Sequence, residues 1–339
     1  MMEAPEKKSI DFSIIIPLTV INDYLRETAE KLKALHNQNF ELIIVANEKT
    51  PELEGLLSNL EGQVIPAGDV SPAIKRDLGA EKARGKYLAF TDDDAYPEKN
   101  WLDLAQKFLE KEEVAAIGGP QITPPHNSFW QKVSGAMFLS PLSGSGLKRY
   151  CSRGKIREVD DWPTVNLIVK KEAFEKIGGF DSAYWPGEDT KLCLDIVKKL
   201  RKKILYVPGL IVYHHRREGL RRHLRQTGGY GLHRGYFARI FPETSRKIMY
   251  FIPSLWVVFL ILGILLFLPN PLWEKIFLLG LSAYALAVIL STIVIWNRTK
   301  SFSIALASVP YLVLFHIWYG IRFIQGYFFT KKLKSKLGR

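Results

Sequence analysis

Residues 87–97 read YLAFTDDDAYP, an apolar run that ends in three consecutive carboxylates, Asp92, Asp93 and Asp94. The run at 87–91 is short, apolar and rich in aromatic side chains, and it therefore predicts a buried β-strand. Like charges held side by side repel one another, so three of them at a strand end point to a cation or to solvent beside them. What lies opposite these carboxylates depends on the fold around the strand.

The flanking sequence alternates short β-rich runs with helical patterns, which predicts an α/β fold built on a mostly parallel sheet with helices on both faces. Ligands of such sheets bind beyond the carboxyl ends of the strands, where the aspartates lie. Between 118 and 165 the sequence is less regular and rich in Gly, Pro and Ser. We predict strands at 12–18, 40–46, 87–91 and 202–215, and helices at 23–35, 71–85, 100–111, 170–178 and 190–200.

The aspartate triplet has two interpretations. It could supply an N-cap and extra acid for the next helix, which begins only a few residues later at 98 or 100. One aspartate would satisfy that role. Three aspartates at the carboxyl end of a parallel strand better suit Mg²⁺ or Mn²⁺, which take oxygen ligands and often share them with substrate phosphates. Such a metal neutralises charge as a diphosphate leaves.

Charge is divided unevenly along the chain. Residues 1–195 hold 24 basic and 31 acidic groups, whereas residues 196–339 hold 23 basic and 3 acidic groups. The net charge of the second part is therefore +20, which predicts an anionic partner, either nucleic acid or membrane headgroups. Nucleic acid is disfavoured, because the basic groups flank apolar spans and do not form a separate soluble module.

Three stretches lack Asp, Glu, Lys and Arg over about the 20 residues that a helix needs to cross a bilayer core. The alternative is three buried helices of a soluble domain, but the first two stretches show no polar face. Trp and Tyr side chains also lie towards the ends of these segments, as is typical of membrane interfaces. The stretches are 248–268, 276–296 and 302–321.

The cellular compartment is predicted from the N-terminus and the cysteines. Residues 1–12 show no apolar region of the kind found in signal peptides, so we expect the first domain to stay in the cytoplasm. The two cysteines, Cys151 and Cys193, fit that reducing compartment and do not have the spacing of a metal site. Together with the apolar stretches, this predicts attachment to the inner, cytoplasmic membrane.

Several motifs carry a resemblance to a known family. The stretches LGAEKARGKYLAFTDDDAYPEKNWL at 78–102, IGGFDSAYWPGEDTKLCLDI at 177–196 and IVYHHRRE at 211–218 together resemble the family 2 glycosyltransferases of the GT-A fold. The resemblance covers about residues 10–240. The order of motifs from SGSGLKRY onwards is similar to the membrane-attached subgroup that acts on polyprenyl-linked saccharides.

The resemblance and the charge and apolar patterns together predict an organisation with four parts. A cytoplasmic GT-A domain, with a Rossmann-like mostly parallel sheet, occupies 1–213. An amphipathic interfacial segment follows at 214–247, then a transmembrane region of two or three helical segments at 248–330, and a basic tail at 331–339.

The resemblance also implies roles for the acidic triplet and for one histidine. Asp92 and Asp93 would lie near the ribose and phosphates of a nucleotide sugar, and Asp94 would bind Mg²⁺ or Mn²⁺. His214, after the last predicted strand, matches the second metal ligand, and a neutral imidazole is available near neutral pH. A surface His pair is the alternative, and His215 is the nearest competitor for the ligand role.

The donor side is completed by three positions. Arg76 matches an arginine of the family before an LGA helix and would meet the nucleotide or its phosphates; the alternative is a solvated helix charge. Pro17 and Asn47 follow the first two strands, where the family receives the nucleobase. This chain lacks the aromatic residue and the Asn that usually follow the first-strand proline in the family, so the identity of the donor's nucleobase stays open.

The acceptor side centres on WPGED at 185–189. A hydroxyl that attacks opposite the leaving diphosphate needs a base, and a carboxylate at a helix start stays charged there. By resemblance to the family's ED motif, Asp189 is that base and Glu188 orients the acceptor, although either carboxylate could simply cap the helix. Trp185 could offer a flat face to a sugar ring.

The basic segment at 214–240 has two interpretations. Its arginines, including Arg217, alternate with leucines at helical intervals, which predicts an amphipathic helix that anchors the chain at the interface. Alternatively, some of these arginines bind the phosphate of a lipid-linked acceptor. We place Arg217 and Gln226 in the acceptor site. The QXXRW motif of processive synthases is absent, since TGGY follows Gln226.

The leading prediction is an inverting glycosyltransferase that moves one sugar from a nucleoside-diphosphate sugar, with a UDP-sugar favoured, to a membrane lipid-linked acceptor. A polyprenyl-phosphate sugar synthase, a metal-dependent nucleotidyltransferase and a noncatalytic membrane scaffold are the alternatives, and a homo-oligomer is left open. Three spans that start in the cytoplasm would put the basic tail at 331–339 outside, against the rule that basic flanks stay inside. The third apolar segment could therefore be re-entrant or interfacial.

Overall fold

The structure is a computed structural model that describes residues 9–266 and 271–333. The chain divides into two compact units. The first unit comprises Met1–Gln121 and Ser152–His214, and the second comprises Ile122–Cys151 and His215–Arg339. The two units differ from the predicted domains in one respect. Residues 122–151, which were predicted to belong to the first domain, group with the C-terminal part of the chain.

Eight strands of the first unit form one sheet in the order β3–β2–β1–β4–β9–β6–β10–β8. Its neighbours are parallel except at β9, which runs against both β4 and β6, and at the edge strand β8. The small sheet has the order β5–β11–β7. The strands are β1 Phe12–Pro17, β2 Phe40–Ala46, β3 Gly62–Pro66, β4 Tyr87–Phe90, β5 Ala95–Pro97, β6 Val114–Gly118, β7 Gln121–Ile122, β8 Arg157–Val159, β9 Leu167–Lys170, β10 Lys203–Tyr206 and β11 Val212–His214.

The central strands are buried on both faces, as their unbroken apolar sequences predict. In β1, Ile14 and Ile16 pack into one core while Ile15 packs into the other. Helices α1, α2 and α4 contribute to the first core, and α3, α7 and α8 to the second. The helices of this unit are α1 Asp23–Lys33, α2 Pro51–Leu56, α3 Pro72–Lys82, α4 Trp101–Leu109, α7 Lys171–Ile177 and α8 Glu188–Lys198.

The prediction of a mostly parallel α/β sheet is confirmed, and two local predictions need correction. The single strand predicted at 202–215 is two strands, β10 and β11, in two different sheets, because the chain turns between them at 207–211. The irregular stretch at 118–165 contains helices α5 Phe129–Met137 and α6 Leu147–Tyr150. Ser128 caps α5 through a reciprocal capping box with Gln131, a local signal that the composition of the stretch obscured.

The second unit is helical in its C-terminal part. Helix α9 does not begin at the histidines but at Leu220, directly after Gly219 with its positive φ of 82°. The described residues include three helices long and apolar enough to cross a membrane. The helices are α9 Leu220–Ile240, α10 Pro242–Ser245, α11 Ile248–Leu266, α12 Pro271–Thr299 and α13 Phe302–Ile324.

Candidate active site

Three predicted site residues meet beyond the end of β4. One ligand atom from each of Asp92, Asp94 and His214 lies within 4.8 Å of the other two. The His214 Nε2 atom is 3.2 Å from the Asp94 Oδ1 atom, and both side chains are largely buried. The pairing of β11 with β5 explains this approach, because it sets His214 opposite Ala95, the residue that follows Asp94.

A glutamine fixes the orientation of the histidine ring. The Gln121 Oε1 atom is 2.7 Å from His214 Nδ1, and since a carbonyl oxygen accepts, the hydrogen resides on Nδ1. The lone pair of a neutral ring is then on Nε2, the atom that faces Asp94. Ligating histidines are commonly held in this way through their other nitrogen. Two carboxylates and an oriented imidazole therefore fit a Mg²⁺ or Mn²⁺ ion.

Arg76 connects the cluster of Asp92, Asp94 and His214 with the WPGED motif. Its Nη2 group donates to Asp92 Oδ1 at 2.8 Å, and its Nη1 group donates to Glu188 Oε1 at 2.9 Å. Burial opposes the charged form, but the charges of Asp92 and Glu188 outweigh it and raise the pKa of Arg76. With 5% of its side chain exposed, Arg76 is not a solvated helix charge.

The WPGED motif places its two carboxylates in different surroundings at the start of α8. Glu188 is buried, and its Oε2 atom accepts from the Gly187 backbone NH at 2.9 Å. Asp189 is only half-buried, and its Oδ1 atom accepts from the backbone NH of the next residue, Thr190, at 2.7 Å. The first turn of a helix is a favourable place for a negatively charged side chain. Asp189 is thus the more accessible of the two.

The predicted donor residues at the ends of β1 and β2 are joined by a lysine that the sequence did not single out. Lys75 is 2% exposed, and its Nζ group donates to the Leu18 carbonyl at 2.5 Å and to the Asn47 side-chain oxygen. Burial lowers the pKa of Lys75, while nearby Asp69 and Asp93 act in the opposite direction. Pro17 closes β1 just before this junction.

Asp93 points to a different partner from its neighbours. Its Oδ2 atom accepts from the Asn22 side-chain amide at 2.6 Å, and the Asn22 oxygen in turn caps α1 at the Leu25 NH. The triplet is therefore divided: Asp92 and Asp94 face His214, whereas Asp93 is tied to the start of α1. A helix-capping Asn before α1 was the available sequence signal for this contact.

The remaining predicted acceptor residues are distributed over both units. Trp185 is partly buried and packs against the second core of the first unit. Arg217 and Gln226 belong to the second unit. Arg217 precedes α9, so it is not on the helix that the arginine spacing predicted, whereas Gln226 is half-buried within α9.

Two further residues were missed because their role is visible only in three dimensions. Gln121 follows β6, and the rule that ligands gather at strand ends would have marked this position. Lys75 gave no such signal, since lysine next to Arg76 on a helix usually remains in solvent.

Comparison with known proteins agrees with this geometry. Residues 13–178 match the model of glycosyl transferase family 2. A dolichyl N-acetyl-alpha-D-glucosaminyl phosphate 3-beta-D-2,3-diacetamido-2,3-dideoxy-beta-D-glucuronosyltransferase from Methanococcus voltae is 22% identical over 333 residues, 93% of this chain and 96% of that protein. An uncharacterized glycosyltransferase from Rickettsia bellii is 30% identical over 103 residues, and the match spans only 15% of that relative and 29% of this chain.

A solved structure shares the fold. The mannosyltransferase from Pyrobaculum calidifontis in complex with GDP-Man and Mn²⁺ has a TM-score of 0.53 and 14% sequence identity, covering 97% of this chain and 92% of that one. The mostly parallel sheet, the acidic cluster at its strand ends and the family match agree with one another. Residues 13–178 therefore belong to glycosyl transferase family 2, and the first unit has the GT-A fold.

Proposed function

We propose that this glycosyltransferase moves one sugar from a nucleoside-diphosphate sugar to a lipid-linked acceptor at a membrane, with inversion at the anomeric carbon. The observation that carries the proposal is the convergence of Asp92, Asp94 and an oriented His214 Nε2 beyond the end of β4. Similarity to the Methanococcus voltae enzyme, whose name specifies a dolichyl-linked acceptor, supports the acceptor class.

On the donor side, Asp94 and His214 would hold a Mg²⁺ or Mn²⁺ ion. When bound, that ion supplies positive charge to the departing diphosphate. Asp92 and Asp93 face the ribose and phosphates, and Arg76 keeps Asp92 in place. Pro17 and Asn47 border the nucleobase pocket, for which we favour uracil.

On the acceptor side, Asp189 takes the proton of the attacking hydroxyl. The new bond forms between that oxygen and the anomeric carbon while the bond to the diphosphate breaks, so that the nucleoside diphosphate leaves with the bonding electron pair. Attack from the opposite face inverts the configuration. Trp185 and Glu188 line the acceptor sugar, and Arg217 and Gln226 contact the acceptor nearer its lipid. The catalytic unit faces the cytoplasm.

The test uses the purified full-length chain in lipid nanodiscs, with Mn²⁺ or Mg²⁺ and a panel of UDP- and GDP-sugars. Polyprenyl phosphate and a polyprenyl-linked monosaccharide are offered separately, and the lipid products are weighed by mass spectrometry. We expect one added sugar on the saccharide acceptor, release of nucleoside diphosphate, and a product anomeric configuration opposite to that of the donor by NMR.

Two variants and one control make the test specific. Asp189→Asn should lower turnover about 10²–10⁴-fold because the base is lost, and Asp94→Asn should lower it by a similar order. Asp103→Asn also removes a first-turn carboxylate, but on α4, and should leave turnover unchanged. Addition of a whole nucleotide would identify a nucleotidyltransferase, and transfer to polyprenyl phosphate alone would identify a polyprenyl-phosphate sugar synthase. Undiminished turnover in Asp189→Asn would refute the assignment of the base.

A further inference from the structure

The three long apolar helices of the second unit contact one another in pairs, and the order of the contacts gives their directions. Between α11 and α12, the Trp256 ring stacks on Tyr284 with centroids 4.3 Å apart, and Gly263 lies against the Phe277 ring. Residue numbers rise along α11 as they fall along α12. These two helices are therefore antiparallel.

The second pair, α12 and α13, is also antiparallel. The Tyr284 Oη atom is 2.8 Å from His316 Nδ1. Nearer the connection between the two helices, the rings of Trp296 and Phe302 lie 5.4 Å apart. The numbers again run in opposite directions, as expected for helices joined by a short turn.

The third pair breaks the pattern of a simple bundle. Ser254 donates from Oγ to the Gly320 carbonyl at 3.2 Å, and the rings of Phe251 and Phe323 are 4.7 Å apart. Hence α13 is antiparallel to α11 as well. In a bundle with one common axis, two helices that both oppose α12 would be parallel to each other. Three mutually opposed directions require wide crossing angles, so the three helices cannot all follow the membrane normal.

Packing and composition identify the helix that departs from the normal. In the most apolar windows of α11 and α12, only 22% and 17% of residues are buried, whereas in the third window 44% are buried. A single protein unit leaves such long apolar surfaces uncovered only where lipid or a partner covers them. At about 1.5 Å per residue, the 19 residues of α11 span close to the thickness of a bilayer core.

Helix α13 is confined by its neighbour α9. Glycines of α9 allow close contact along the second half of α13: Gly228 lies against Trp318, and Gly235 lies against the Phe323 carbonyl. The first half of α9 carries exposed Arg221, Arg222 and Arg225. Arginines in that number are costly in hydrocarbon and favourable beside anionic headgroups. A helix packed along α9 therefore lies at the depth of the headgroups.

From these registers we infer that the bilayer is crossed twice, by a hairpin of α11 and α12, while α13 lies along the membrane surface beside α9. The partner of the exposed hairpin surface is the lipid bilayer. Both ends of the hairpin then emerge on the side that holds α9. Lys331 and Lys332, which follow α13, stay on that same side, which satisfies the preference of basic flanks for the cytoplasm.

The test determines the side of four positions in sealed vesicles that contain the full-length chain. Cys151 and Cys193 are first replaced by serine, and single cysteines are then introduced by Lys247→Cys, Glu274→Cys, Lys300→Cys and Lys332→Cys. A membrane-impermeant maleimide is added from outside, before or after permeabilisation. Lys247→Cys and Lys300→Cys are the matched controls, since two-span and three-span arrangements place them on one side.

We expect Lys332→Cys to be labelled from the same side as the two controls. Glu274→Cys should be protected from maleimide added on that side. Label on Lys332→Cys only from the side of Glu274→Cys would show a third span and overturn the inference. Label on all four positions from one side would show that no helix crosses and would overturn it equally. A reporter fused after Arg339 in the otherwise unaltered chain repeats the decisive measurement: fluorescent protein should be active and alkaline phosphatase inactive.

Discussion

Replacement of Arg76 should destabilise the first unit strongly, because two carboxylates depend on this one buried guanidinium. Arg76→Met removes the positive charge and both hydrogen bonds but keeps an apolar side chain of similar length. Glu188 has 7% of its side chain exposed and would be left as an uncompensated buried charge. Asp92 is 30% exposed, so water can replace much of its lost interaction.

The magnitude follows mainly from Glu188. Loss of one partner from a buried pair costs about 3–5 kcal/mol, whereas the more exposed Asp92 contact adds at most about 1 kcal/mol. For a unit of this size, about 2–4 °C of melting temperature corresponds to each kcal/mol, so Arg76→Met should melt about 6–24 °C lower. Thermal unfolding followed by tryptophan fluorescence in detergent measures this shift.

A double-mutant cycle separates the buried charge from general damage to α3. Glu188→Gln neutralises the stranded carboxylate, so the combination with Arg76→Met should be more stable than the sum of the single changes by about 0.5–3 kcal/mol. Lys82→Met, an exposed cation on the same helix, should change stability by less than about 0.5 kcal/mol. Additive single changes, or an Arg76→Met protein that melts like the wild type, would refute the reasoning.

Three further predictions concern the metal cluster, a buried acid and the α9 packing. Gln121→Ala should weaken Mn²⁺ binding about 10–100-fold in a calorimetric titration, since the His214 ring loses its orienting acceptor; unchanged affinity would contradict this role. Burial raises the pKa of Asp77 from 3.8 to about 6, so the wild type should lose stability as pH rises from about 4 to 6. Thermal melts of Asp77→Asn at pH 4 and pH 6 should not show that loss of stability. An equal loss in the variant and the wild type would disprove the role of Asp77. Gly231→Ala should destabilise by about 1–3 kcal/mol in denaturant unfolding, because the added Cβ would lie 2.5 Å from the Tyr319 carbonyl oxygen, whereas Gly55→Ala, in open space, should not.

The central fold and the acidic cluster could be predicted from sequence because their signals are local. Apolar runs such as that of β2 mark buried strands at the right residues, and the triplet at 92–94 stands directly after one of them. His214 was singled out by the family resemblance, as the histidine after the last predicted strand. Family resemblance added the roles that no spacing could supply.

Pairings over long sequence distances could not be predicted. Arg76 and Glu188 are 112 positions apart, and nothing near either residue indicates the other. The turn between β10 and β11 was missed although Pro208 and Gly209 signal it, because the residues on both sides of that dipeptide are apolar and together predict one long strand. The relative directions of the three apolar helices likewise depend on which side chains contact one another. Composition does not determine those contacts.

The reversed direction of β9 has a consequence for where the chain can change in length among relatives. Because β6 is parallel to the central strands and β9 opposes them, the chain leaves the sheet after Gly118 and rejoins it at Leu167 on one and the same edge. Within that excursion β7 pairs with β11 and β8 pairs with β10, so the part between them, 123–156, is the part that departs and returns without breaking a strand pair. Residues 123–156 can therefore be lengthened, shortened or exchanged between family members while every strand keeps its neighbours.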